Sequence, residues 1–192
     1  MNNTDTLKQI FTCQFGIPTE CWQVIEKNLY PQDLFKGAYF STEGCYSKTL
    51  GFLTSGVVRI FYRKESGEEY TKHFLSKHEF LAASIKPGEK SITYSQALTN
   101  CNLLCIDYDF FMNLSKQYSE INNFISTKTF EYLEQKQNRE IRLLSEDATG
   151  NYLDFLNRFP GLIDLIPHYY IAGYLGVSPT QLSRLRKKLE KM

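Results

Sequence analysis

Five of the 22 basic residues in this 192-residue chain fall in its last nine positions: Arg184, Arg186, Lys187, Lys188 and Lys191, against the single acid Glu190. The formal net charge is only +1, so the clustering is local. Residues 151–192 carry six Lys/Arg and three Asp/Glu, a charge of +3, and the rest of the chain carries −2. A basic end on a near-neutral chain implies an anionic partner met at that end. At ~100° per residue of an α-helix, Leu182, Leu185 and Leu189 share one face. Thr180, Arg184, Lys187 and Lys191 share the opposite face, with Ser183 and Lys188 at its edges. Ser178 is placed to cap this helix, and Pro179 sits where a first-turn proline is tolerated. The candidate contacts with such a partner are Ser178, Thr180, Gln181, Ser183, Arg184, Lys187 and Lys188.

No other group of residues makes a comparable case for chemistry. Cys13, Cys21, Cys45, Cys101 and Cys105 form an odd, irregular set with no CxxC pair. That pattern reads as reduced thiols in a reducing compartment, with neither a disulfide framework nor a metal site. His73 and His78 would face opposite sides of a strand, and His168 lies in the helical end, which argues against a histidine-bound metal. A Gly-rich phosphate loop, a GxSxG elbow and an HExxH pair are all missing, so no enzyme and no cofactor are expected. A hydrophobic content of 42% and a charged content of 22% are those of a globular protein. No apolar run reaches the roughly 18 residues of a bilayer span, and "MNNTDTLKQIFTCQFG" is no signal peptide. The expectation is a cytoplasmic protein with no membrane partner.

The elements that must carry these residues change texture along the chain. From about Pro31 to Tyr108 the sequence reads as short strands. Val57, Arg59, Phe61 and Arg63 alternate with Val58, Ile60 and Tyr62, and "SGEE" at 66–69 marks a hairpin. Regular turns between many short strands predict a sandwich or β-roll. "PTECWQVIEKNLY" before it predicts a short helix opening at Thr19. From 110 to 148 there is neither Gly nor Pro, and Leu114, Tyr118, Ile121, Ile125 and Tyr132 fall near heptad spacing. This predicts a long helix that packs on its own domain and on a second copy of the chain.

The last unit contains three helical patterns separated by "FPG", "IP" and "GVSP". Ile171, Ala172 and Leu175 give the next-to-last helix an apolar face, Gly176 falls where a left-handed cap is needed, and Val177 can enter the core. A helix, a tight Gly-containing turn and a second helix with an apolar underside and a basic top form a helix-turn-helix pattern. Cations on the outer face would meet phosphates, and short polar residues near the N-terminus would reach base edges. The alternative is a β-roll ligand-binding or protein-interaction module whose helical tail does not bind DNA.

On "IAGYLGVSPTQLSRLRKKL", "LTSGVVRIFY", "GEEYTKHF" and "ALTNCNLLCID", the chain resembles the Crp/Fnr family of bacterial transcription regulators, in the short form common in the Bacteroidetes. The resemblance implies an α+β fold: a β-roll sensory domain of the cyclic-nucleotide-binding type at 1–112, a long dimerisation helix at 113–145 and a helix-turn-helix domain at 146–192. It implies double-stranded DNA, a homodimer through the long helix and an unidentified small-molecule effector as partners. The family's base-reading pattern of Glu, two residues, Ser and Arg falls on Thr180, Ser183 and Arg184, so Thr180 replaces the glutamate that accepts from cytosine. The sequence ends soon after this helix, so no wing strand is expected. The family's Gly-Glu pair for the ribose falls on Ala82 and Ala83, and its Arg-Ser pair for the cyclic phosphate on Ser91 and Ile92. A cyclic phosphate without its arginine lacks its main charge-assisted contact, so this pocket reads as degenerate and unresponsive to cyclic AMP. Lys90 is the nearest cation that could substitute.

Overall fold

The computed structural model describes residues 2–84 and 88–189. The chain divides into two compact units, one of residues 1–60 and 74–131, the other of residues 61–73 and 132–192. Its strands are β1 (Tyr30–Leu34), β2 (Tyr39–Ser41), β3 (Thr49–Ser55), β4 (Val58–Arg63), β5 (Glu69–Leu75), β6 (Phe80–Leu81), β7 (Tyr94–Ala97) and β8 (Cys101–Asp107). They form two four-stranded sheets, ordered β1-β8-β3-β6 and β2-β7-β4-β5.

In the first unit, the two sheets face each other across Leu34, Leu53, Leu81, Leu103 and Cys105 from one side and Val58, Leu75 and Ala97 from the other. β3 and β8 run antiparallel, Gly51 opposite Cys105. Gly51 is a glycine for lack of space: an added Cβ would lie 2.9 Å from Leu103 Cδ2 and 3.3 Å from Phe40 Cε2. The outer face of the same sheet, with Phe52 and Ile106, is covered by α1 (Asn3–Gln9), its π-helical continuation Ile10–Gln14, α2 (Thr19–Lys27), α3 (Tyr108–Leu114) and the start of α4 (Ser119–Ser145). α2 opens at Thr19 as its sequence implies. Covered on both faces, β3 and β8 are apolar on both, and strict alternation is lost there.

The long helix differs from its sequence pattern at its start. It begins at Ser119 and not at 113, because the chain turns between α3 and α4, where Ser115 Oγ donates to the Met112 carbonyl at 2.7 Å and Asn122 Nδ2 to the Ser115 carbonyl at 2.6 Å. Side chains that satisfy the backbone this way end a helix without Gly or Pro. The N-terminal part of the heptad row serves the chain's own domain: Leu114 and Ile121 are buried, as is Phe124 beside them, with Tyr118 and Ile125 packed against this cluster. Phe11 and Phe15 meet the Phe124 ring edge-on at 4.9 and 5.0 Å. The apolar residues left exposed on α4 are Phe130, Leu133, Ile141, Leu143 and Leu144.

The second unit holds the distal part of the β4–β5 hairpin, the C-terminal part of α4, and α5 (Ala148–Arg158), α6 (Leu162–Leu165), α7 (His168–Leu175) and α8 (Pro179–Leu189). Asp147 caps α5, accepting from Thr149 N at 2.9 Å and Gly150 N at 2.8 Å. Phe155, Phe159 and Tyr174 form an aromatic trio with centroids 5.4 to 5.8 Å apart. Tyr152, Leu162, Ile166, Ile171, Ala172, Leu175 and Leu182 are buried with it.

Candidate nucleic-acid interface and ligand pocket

α7 ends at Gly176, whose φ of 69° is left-handed. A Cβ there would meet nothing within 4 Å, so the glycine serves backbone conformation and not space. Val177 N donates back to the Ala172 carbonyl at 3.1 Å, which closes the helix end and drops Val177 toward the core. α8 then starts with a reciprocal cap: Gln181 N donates to Ser178 Oγ at 3.2 Å, and Ser178 N donates to Gln181 Oε1 at 2.8 Å. Gln181 therefore spends its carbonyl oxygen on the cap, a role that Ser-x-x-Gln spacing could have disclosed.

Leu182 is buried at 1% exposure and anchors α8. Ser178, Thr180, Gln181, Ser183, Arg184, Lys187 and Lys188 are all exposed. Arg186 is different. It is half-buried, and its Nη1 lies 2.9 Å from His168 Nδ1 and 3.1 Å from Nε2, tying the last turns of α8 to the first turn of α7. The C-terminal cations thus divide into an outward row and one inward strut. Lys191 lies outside the described residues.

The residues of the expected ligand pocket lie in the segment between β6 and β7. Ala82 and Ala83 are half-buried. Ser84 N donates to Ser47 Oγ at 2.7 Å. Ser91 is buried, and its polar atoms are engaged locally: its Oγ donates to the Thr93 carbonyl at 2.8 Å, its N to the Cys45 carbonyl at 2.8 Å, and its carbonyl accepts from Gly44 N at 2.8 Å. Ile92 is 70% exposed. Lys90 is exposed, with Nζ 5.6 Å from the Tyr46 ring centroid. None of these side chains offers a charged group to the space between the sheets, which apolar residues occupy.

One buried cation lies elsewhere in this unit. Arg59 on β4 is 2% exposed and donates from Nη2 to Gln96 Oε1 at 3.0 Å, while Gln96 Nε2 donates to the Gly37 carbonyl at 3.0 Å. In the second unit Lys72, Lys136, Arg139 and Arg158 line a common cavity, a grouping the sequence pattern does not disclose. Only Lys136 and Arg139, three apart on one helix, could have been paired by spacing. His73 lies 6.3 Å from the Tyr132 ring and 6.1 Å from Phe159, and His78 stacks on Phe52 at 5.8 Å. Among the described residues, no three His, Cys, Asp or Glu side chains group as metal ligands, and no helix is long and apolar enough to cross a membrane.

A facing pair of short-stranded sheets, helices across one of them and a capped helix-turn-helix recur together in known structures. Residues 31–118 match the family model for the cyclic nucleotide-binding domain. Over most of the chain the fold is similar to that of several solved bacterial regulators. FixK2 from Bradyrhizobium japonicum superposes with a TM-score of 0.76 at 13% identity, covering 85% of each chain. A protein described as a transcriptional regulator of the crp/fnr family from Eubacterium rectale gives 0.73 at 17% identity, covering 91% of this chain and 84% of that one. The c-di-GMP-responsive global regulator CLP of Xanthomonas campestris gives 0.69 at 18%, covering 88% and 90%. No curated protein matches the sequence.

Proposed function

We propose that the chain is a dimeric, sequence-specific DNA-binding transcription regulator whose cyclic nucleotide-binding domain does not respond to cyclic AMP. The observation that carries this reading is the exposed row Ser178, Thr180, Ser183, Arg184, Lys187 and Lys188 on a helix anchored by Leu182 and oriented by the Gly176 turn. Lys187 and Lys188 meet phosphates, which fix position, and Arg184 reads guanine O6 and N7. Thr180, in place of a carboxylate, removes an acceptor for cytosine N4 and shifts the preferred half-site.

Leu133, Ile141 and Leu144, exposed at 49%, 53% and 84%, supply an apolar stripe for a second copy of α4, with Phe130 above it. The dimer sets two α8 helices in successive major grooves, roughly 34 Å apart, on a near-palindrome.

The loss of cyclic AMP response is supported by Ser91, whose hydroxyl is turned to its own loop, and by Ile92, which faces solvent. At about 100-fold above Kd a genuine ligand stabilises a protein by ~2.7 kcal/mol. Cyclic AMP at millimolar concentration is expected to leave the melting temperature unchanged, and a shift of several degrees would reject this part of the reading.

The DNA reading is tested by selecting bound sequences from a random double-stranded library at defined salt. Recovery of one inverted-repeat motif is the expected result. Recovery of no motif, with and without added cell metabolites, would leave the helical tail without a DNA-reading role.

A further inference from the structure

The second unit contains a cavity of about 240 Å³ walled by β5, the C-terminal part of α4, α5 and α7. Four cationic side chains line it: Lys72, Lys136, Arg139 and Arg158, against one acid, Glu140. Among the described residues, no ion pair joins Glu140 to any of them. Arg158 has only a long contact, Nε to Asp154 Oδ2 at 4.0 Å, and the other oxygen of Asp154 is held by Arg142 Nη1 at 2.5 Å. Arg139 lies with its guanidinium carbon 4.4 Å from the Tyr174 ring centroid and donates from Nη2 to the Tyr174 carbonyl at 2.6 Å. Its Nε is buried without a hydrogen-bond partner among the described residues.

We propose that this cavity is a binding site for a small phosphate-bearing molecule, held by Lys72, Lys136, Arg139 and Arg158 and separate from the pocket of the β-roll. Converging cations with little compensation repel one another, and a dianion placed among them removes that repulsion. Burial already pushes the Lys72 ammonium below its ordinary value. Burial does the same to the Arg139 guanidinium, opposed by Tyr174 and reinforced by the charge of Arg158. Lysine as a point charge and arginine as a planar fork are the two residue types that bind phosphate by charge-assisted hydrogen bonds.

The size of the cavity selects the ligand class. It falls just below the ~300–1,000 Å³ of pockets for drug-sized ligands, which suits a phosphate ester of metabolite size and not a dinucleotide. A duplex backbone is a poorer fit, since Lys72 and Arg139 are half-buried and a phosphate tethered on both sides cannot enter a concave site as a free ester can. Occupancy has a route to α7 through the Arg139–Tyr174 carbonyl bond. Its consequence for DNA affinity rests on the function proposed above.

The test is calorimetric titration of the full chain, in the absence of DNA, with inorganic pyrophosphate, glucose 6-phosphate and adenosine 5′-monophosphate, each against sodium chloride at matched ionic strength. At least one is expected to bind at one site per chain and to raise the melting temperature. Its affinity is expected to fall about tenfold or more in K72Q and, separately, in K136Q, each of which removes one charge-assisted contact. Both variants in chloride should melt at or above the wild-type temperature, because repulsion is relieved; a merely structural role for these lysines would lower it. Absence of binding by all three probes, or affinity unchanged in both variants, would overturn the proposal. So would loss of affinity for an unrelated short duplex in K72Q together with no small-molecule binding, which would assign the cations to the DNA backbone. Because the titration contains no DNA, its failure leaves the DNA-binding reading standing, and a chain that selects no DNA sequence can still pass it.

Discussion

Two arginines only two residues apart on α8 are expected to fail in opposite ways when removed. Arg184 is exposed on the outward row, whereas Arg186 is half-buried with Nη1 at 2.9 and 3.1 Å from the His168 ring nitrogens. Arg184→Ala removes a base-reading fork worth about 1–3 kcal/mol, or roughly 5- to 150-fold in operator affinity. It should leave unfolding within ~0.5 kcal/mol of wild type, as surface substitutions do. Arg184→Lys keeps the charge but loses the fork, so affinity for unrelated duplex is retained while preference for the operator falls. Arg186→Ala removes the strut to His168 and is expected to cost about 1 kcal/mol of stability, a fall of roughly 2–4 °C in a chain of this size. The folded fraction of that variant should still prefer the operator. Fluorescence anisotropy against the selected operator and a scrambled duplex at one salt concentration gives the affinities, and urea unfolding gives the stabilities. The reasoning is refuted if Arg186→Ala abolishes operator preference while Arg184→Ala leaves it intact, since the two side chains would then have exchanged roles.

Other consequences can be checked separately. Gly51→Ala should destabilise the first unit by about 1–3 kcal/mol through overpacking, because the added methyl would sit 2.9 Å from Leu103, itself buried, and chemical denaturation measures this directly. Leu144→Glu, with Leu133→Glu as a second variant, is expected to convert dimer to monomer in light scattering without unfolding the chain; persistence of the dimer in both would remove α4 as the interface. Iodoacetamide at pH 8 should label exposed Cys13 and spare buried Cys21 and Cys105 until denaturant is added, read by mass spectrometry. Burial pushes the Cys105 thiol up to about 12, and burial with Glu120 and Glu20 pushes Cys21 up to about 11. Since both folded values exceed the unfolded one, near 8.5, their stabilising contribution is full below that pH. It is lost as pH rises toward about 11 and 12, so stability should decline on the alkaline side.

The helix-turn-helix was legible in the sequence because its signals are local. Gly176 supplies a left-handed backbone, Ser178 caps the next helix, and Leu182 and Leu185 recur at helical spacing against a basic face. Such features depend on residues within a few positions of each other, and no distant contact is needed to read them. The short strands and their turns were legible for the same reason.

What surrounds each element was decided only by the tertiary structure. The spacing of Ile121 predicts packing on the chain's own domain and on a second copy without saying which residue serves which; the fold buries Ile121 and Phe124 in the chain's own core, where Phe11 and Phe15, more than a hundred positions earlier, pack against Phe124. Periodicity identifies an apolar face but not what covers it. Arg59 occupies a place in an alternating strand that could as well be solvated, and the fold buries it beside Gln96. Lys72, Lys136 and Arg158 belong to three separate elements, and only the packing of β5, α4 and α5 gathers them around Arg139. The charges are written in the sequence, but their convergence is a property of distance, and distance between remote residues is set by the fold.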